Sequence, residues 1–124
     1  MSKIVIVGGQ KLKGEIAAEG SKNAVLPILA ATVLNSGVSV IKNCPDLNDV
    51  RIMIDILRKL NCKVMVEKNT VIVDSSTMND SVVPEDLAAG MRSSIIFMGP
   101  ILARCKKVTI SYPGGYISIW TQLQ

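Results

Sequence analysis

The chain has 124 residues, 48% of them apolar, 19% charged and only 3% aromatic, with a net charge of +4. That composition suits one domain with an aliphatic core and excludes disorder. The absence of His rules out a His triad, a His metal site and a His general base, and the shortage of rings argues against a stacking platform for single-stranded nucleic acid.

Lys3–Val7, rich in Ile and Val, reads as a strand. Gly8-Gly9-Gln10 reads as a turn and Leu12–Ala18 as a second strand, so the two are expected to form a hairpin. The apolar run at this end is too short for a signal-peptide core, and no apolar stretch spans a bilayer. A soluble, cytoplasmic protein is the expectation.

Ser21 is a good N-cap for a helix starting near Lys22. Pro27 falls inside that helix and is tolerated best near its first turn. Asn35-Ser36-Gly37 should end it, with Gly37 as the C-terminal cap. Val38–Ile41 reads as a short strand and Cys44-Pro45-Asp46 as a break. Val50, Met53, Ile54, Leu57 and Leu60 then recur at helical spacing, with Arg51, Asp55, Arg58 and Lys59 largely opposite.

Lys63–Glu67 and Thr70–Asp74, flanking Lys68-Asn69, read as a hairpin, and Ser75–Val83 as a polar loop. Pro84-Glu85-Asp86 opens a long helical stretch to about Arg104, with Gly90, Gly99 and Pro100 predicting a kink. Val108–Ser111 reads as a strand. Tyr112-Pro113-Gly114-Gly115 reads as a turn or as a loop that closes over a substrate.

A faint repeat runs through this order. Arg92 follows Lys22, and Val108 follows Val38, by the same 70 residues. The implied unit is strand–helix–strand–strand, one complete and a second only begun, and such units need neighbours to bury their faces.

Two places carry anion-binding chemistry. In Gly20-Ser21-Lys22-Asn23 a helix N-terminus supplies free N–H groups and a positive dipole end, Lys22 a full charge and Asn23 an amide. Gly20 permits close backbone approach. The Walker spacing is missing, and a plain cap with a solvated Lys accounts for the same residues. In Gly90-Met91-Arg92-Ser93-Ser94, Arg92 can grip an anion with two parallel bonds or simply cover apolar surface. The repeat puts Lys22 and Arg92 at equivalent positions, so both can converge on one polyanion. Cys44, Cys62 and Cys105 lack metal or disulfide spacing and read as reduced, buried thiols.

The stretches G-S-K-N-A-V-L-P-I-L-A-A, C-P-D-L-N-D-V, M-R-S-S and Y-P-G-G, in this order and spacing, resemble UDP-N-acetylglucosamine 1-carboxyvinyltransferase from Met1 to Gly115. The related enzyme of the shikimate pathway has Ser-Lys at the helix start but continues with Ser in place of Asn23-Ala24. The resemblance implies an α/β fold, the inside-out barrel of the enolpyruvyl transferases. That fold has two domains of three repeats each, with ligands in the cleft between them. Residues 1–19 would then be a hairpin belonging to the second domain, 20–115 part of the first domain, and 116–124 a divergent tail.

The implied reaction moves the enolpyruvyl group of phosphoenolpyruvate to the 3′-hydroxyl of UDP-N-acetylglucosamine by addition and elimination, for peptidoglycan synthesis, with no metal or organic cofactor. Lys22 corresponds to the lysine that contacts phosphoenolpyruvate, Asn23 to its neighbour in that site, and Arg92 to the arginine beside the sugar-nucleotide and phosphate groups. The pattern breaks after Gly115: Tyr116 stands where the family has its general-acid Cys, and the Arg-Pro that should follow is missing.

A phenol, with a pKa of about 10, is a poor substitute for that acid. The expectation is therefore a shifted or truncated reading frame without catalysis of its own. The alternative is a non-catalytic module that binds an anion or a UDP-sugar. A nucleic-acid partner ranks last because the basic residues are scattered, and no membrane partner is expected. The leading hairpin, parted from its home sheet, would pair with another copy or pack wrongly onto its own chain.

Overall fold

The computed structural model describes residues 2–90, 92–112 and 115–120, and the side chains of 2–90 and 94–110. Helix α1 spans Lys22–Ala31. Ser21 is extended at its start, and its hydroxyl accepts from the Ala24 N–H at 3.4 Å. Pro27 sits beyond the first turn, so the Asn23 carbonyl lacks its usual helical donor. The helix tightens into a 3-10 turn at Thr32–Leu34, where the Thr32 hydroxyl donates to the Leu29 carbonyl at 2.6 Å. Gly37 is not the expected cap. It does not take the left-handed conformation, because the 3-10 turn already satisfies the closing carbonyls, Asn35 N–H bonding Thr32 O at 3.3 Å.

Strand β1, Val38–Ile41, matches expectation. Helix α2, Asn48–Lys59, buries Val50, Met53, Ile54, Ile56 and Leu57, with Asp49 in its first turn and Arg58 and Lys59 in its last, as the helix dipole favours. Strands β2, Lys63–Glu67, and β3, Thr70–Asp74, form the predicted hairpin. The first sheet has the order β1-β3-β2, all antiparallel. Val64, Val71 and Val73 point inward and are buried, while Val38, Val40 and Met65 face outward and are exposed.

The polar stretch from Ser75 was expected to be loop throughout, yet Val82–Val83 forms strand β4, parallel to β5 at Lys107–Tyr112. A parallel pair needs a crossover, and the expected single kinked helix supplies it in three pieces. These are α3 at Glu85–Ala89, a 3-10 helix at Arg92–Phe97 and α4 at Met98–Cys105. Gly90 caps α3, and Lys106, left-handed at φ 65°, ends α4. Strand β6, Gly115–Trp120, pairs antiparallel with β5, giving a second sheet of order β4-β5-β6. The residues expected to be a divergent tail therefore begin as a paired strand. Tyr112 and Gly115 are opposed ends of β5 and β6; Pro113 and Gly114 lie outside the described residues.

The repeat offset is visible in the elements. A helical passage, Lys22–Leu34, leads to β1, and a second, Arg92–Cys105, leads to β5. Leu29, Val33, Leu57, Phe97, Ile101 and Val108 are buried where these passages meet the sheets. Polar ties between elements include the buried Ser75 hydroxyl, which donates to Thr32 O at 2.9 Å, and Arg104 Nη1, which donates to Val33 O at 3.0 Å.

The leading hairpin is not there. Residues 2–20 hold no strand, and Ile4, Val5, Ile6, Val7, Leu12 and Ile16 stand 74–96% exposed. Residues 2–19 are exposed throughout, and a two-stranded ribbon without a covered face is marginal in water.

Candidate functional site

The capped start of α1 places Lys22 and Asn23 in its first turn, both exposed. Their N–H groups belong to the set a helix leaves without internal partners, the kind of helix start that can receive an anion. Gly20 has a different role from the expected one. A Cβ there would lie 2.0 Å from the Asn43 carbonyl oxygen and 3.1 Å from Pro45 Cδ. The glycine lets the chain's own Asn43–Pro45 corner close under the helix start.

Lys22 Nζ lies 2.8 Å from Asp49 Oδ2, with side chains 52% and 24% exposed. This pair ties α1 to the first turn of α2. The ammonium is held on the Asp49 carboxylate, and about half of the Lys22 side chain stays exposed. Asp49 was not singled out from sequence. Its signal was present: it is the last acid of C-P-D-L-N-D-V, in the first turn of the clearest amphipathic helix.

Ile52 follows Asp49 by three residues, on the same face of α2 and about 4.5 Å further along its axis. A Cβ at Gly90 would sit 3.5 Å from Ile52 Cδ1. The 3-10 helix opened by Arg92 also packs on α1. The fold thus brings the backbone around Arg92 to the same side of α2 as Lys22. The Arg92 side chain lies outside the described residues, as does that of Tyr116, whose backbone in β6 pairs with Ser111 of β5.

The remaining chemistry is structural. Arg51 grips Asp46 through two 2.9 Å bonds, and these, with the guanidinium charge, hold the Asp46 carboxyl below the usual carboxylate range. Burial raises the Cys44 thiol and pushes Cys62 up to about 11, so neither is a ready nucleophile. Among the described residues no group of His, Cys, Asp and Glu could hold a metal ion, and no helix is long and apolar enough to cross a membrane.

Residues 6–117 match the family model described as EPSP synthase (3-phosphoshikimate 1-carboxyvinyltransferase). The chain is 52% identical over 115 residues to UDP-N-acetylglucosamine 1-carboxyvinyltransferase 2 of Caldanaerobacter subterraneus subsp. tengcongensis, covering 93% of this chain and 28% of that protein. It is 48% identical over 118 residues to UDP-N-acetylglucosamine 1-carboxyvinyltransferase 1 of Symbiobacterium thermophilum, covering 91% and 27%. Among solved structures it resembles the enolpyruvyl transferase NikO from Streptomyces tendae, with a TM-score of 0.74 and 25% identity, covering 86% of this chain and 25% of that one. The chain spans little more than a quarter of the length of the relatives it matches.

Proposed function

The chain belongs to the EPSP synthase (3-phosphoshikimate 1-carboxyvinyltransferase) family, and from that premise we propose that it serves enolpyruvyl transfer from phosphoenolpyruvate to the 3′-hydroxyl of UDP-N-acetylglucosamine, in peptidoglycan precursor synthesis. Its mixed helix-and-strand fold is that of the enolpyruvyl transferases. The acceptor rests on the names of the relatives, and the enolpyruvyl group on that of the solved neighbour. The observation that carries the reading is Lys22, half exposed at the first position of the capped helix α1 and ion-paired with Asp49. In this reading Lys22 and the first-turn N–H groups take the phosphate or carboxylate of phosphoenolpyruvate. Asn23 adds its amide beside them, and Arg92 meets the sugar-nucleotide from the neighbouring segment.

This stretch by itself binds without turning over. Tyr116 sits at the family's Cys position on a backbone paired with Ser111, and a phenol is a weak acid for this step. Stabilising the developing charge also takes groups converging on it from a closed, dry cleft. The alternative for the chain alone is a non-catalytic module that binds an anion or a UDP-sugar.

The test is phosphate release from phosphoenolpyruvate with UDP-N-acetylglucosamine present, run beside calorimetric titration of both ligands. Expected is binding of at least one ligand, weakened about tenfold or more by Lys22→Ala, with no phosphate release. Release above the Lys22→Ala background would overturn the binding-only reading. Failure of both ligands to bind would overturn the site.

A further inference from the structure

A pocket of about 620 Å³ opens between α2 and the tip of the β2–β3 hairpin, within the usual range for ligand pockets, roughly 300–1,000 Å³. Its α2 lining, Val50, Arg51, Ile54, Asp55 and Arg58, lies on roughly the opposite face of that helix from Asp49 and Ile52. It is therefore separate from the Lys22 site and owes nothing to the reaction proposed above.

The pairing register shows what β2 offers there. Glu67 and Thr70 are opposite each other across the two-residue turn Lys68-Asn69, the place where a tight hairpin exchanges both backbone bonds. By alternation Val66↔Val71 and Val64↔Val73 are the non-bonded pairs, whose β2 groups point away from β3. An independent contact agrees: Arg58 Nη2 donates to Val64 O at 3.1 Å. Val66, two residues on, turns its N–H and C=O to that same side. β2 is an edge strand among the described residues, and Val66, 52% exposed, lines the pocket.

The rim carries surplus positive charge. Arg51 is neutralised by Asp46 at 2.9 Å, and Arg58 has Asp55 at 4.0 Å. Lys68, at φ 52° on the turn, has no ion pair among the described residues. Val50, Ile54 and Val71 supply apolar lining.

The geometry points to a peptide-docking groove, whose occupant is an extended acidic segment of a partner protein added to the edge of β2. Its backbone bonds the Val66 N–H and C=O, one apolar side chain seats against Val50, Ile54 and Val71, and a carboxylate meets Lys68. This is strand addition with side-chain pockets setting specificity.

The probes are an acetylated, amidated pentapeptide of alternating glutamate and valine, its lysine–valine counterpart, and glutarate. Each is titrated into the isotope-labelled chain while the Val66 amide is followed. The glutamate peptide is expected to shift that amide saturably and to slow its hydrogen exchange, and the lysine peptide to do neither. Lys68→Glu should weaken binding about tenfold. Val66→Pro should fold, since an edge position with an outward N–H tolerates proline, and should no longer bind the peptide. An unmoved Val66 amide, or an equal response to the lysine peptide, would overturn the proposal. So would glutarate reproducing the shift without slowed exchange, which would make this a small-anion pocket. A Val66→Pro chain that binds normally, or one that cannot fold, would overturn the register argument.

Discussion

Residues 3–18 and 63–74 carry much the same message in sequence: two runs rich in Ile, Val and Leu joined by turn residues. Only the second becomes a hairpin. The difference lies outside both segments. β2 and β3 lay Val64, Val71 and Val73 against the helices, and β1 extends the ladder on the far side of β3. The leading segment has neither a covered face nor a third strand. β-propensity is a fit to a half-buried surface, and where no surface is offered the pattern has nothing to fit.

The widest separation between the two segments should appear in amide hydrogen exchange. Val5 and Ile6 are expected to exchange near free-peptide rates, and Ile72 and Val73 in the central strand at least about 1,000-fold more slowly. Equal protection would mean that the leading segment finds a cover in solution. Mutation gives the next contrast. Leu57→Ala, under the covered hairpin with no exposure, should cost about 2–5 kcal/mol in urea unfolding. Ile4→Ala, at a residue 88% exposed, should stay within about 0.5 kcal/mol of the parent.

Much of the rest follows the same logic. β1, α2 and the second hairpin were readable because each carries a local period and sits on a face that the next element covers. β4 was not readable, because two valines in a polar stretch become a strand only by pairing in parallel with Thr109 and Ile110 across the crossover. The helix expected from Pro84 to Arg104 breaks at Gly90, where α3 ends and the chain passes Ile52. In the site, Lys22 and its cap were legible because a cap is a local motif. Asp49 was not, because an ion pair across 27 residues leaves no periodic trace. Gly20 was read as room for a ligand, and it is room for Asn43.

How tightly the covered hairpin is sealed at its foot can be read from thiol chemistry. Cys62 is 5% exposed, with its thiol pushed up to about 11, while Cys105 is half-buried. Iodoacetamide near pH 8 should modify Cys105 first, by about tenfold or more in rate; preferential labelling of Cys62 would show that the base of β2 opens. The smallest effect belongs to Asp74, which closes the exit from β3. Its Oδ1 accepts from the Ser76 hydroxyl at 2.6 Å and the Ser76 N–H at 3.0 Å, and these bonds hold the carboxyl below its ordinary value. A carboxyl lowered by folding stabilises at neutral pH, and its contribution fades as pH falls through the folded-state value. Asp74→Asn should therefore flatten the acid limb of the stability profile below about pH 4, leaving the neutral urea midpoint slightly reduced.

The bond from Arg104 to the Val33 carbonyl joins residues 71 apart in the chain, whereas the Ser75 hydroxyl reaches Thr32 across only 43. On a ribosome adding about 5–20 residues per second, Val33 precedes its guanidinium partner by about 4–14 s. Ser75 arrives well before Arg104, so the first sheet can close on α1 and α2 while the carbonyl beside that closure still faces water. In order of synthesis Arg104 is the later of the two fastenings to become available.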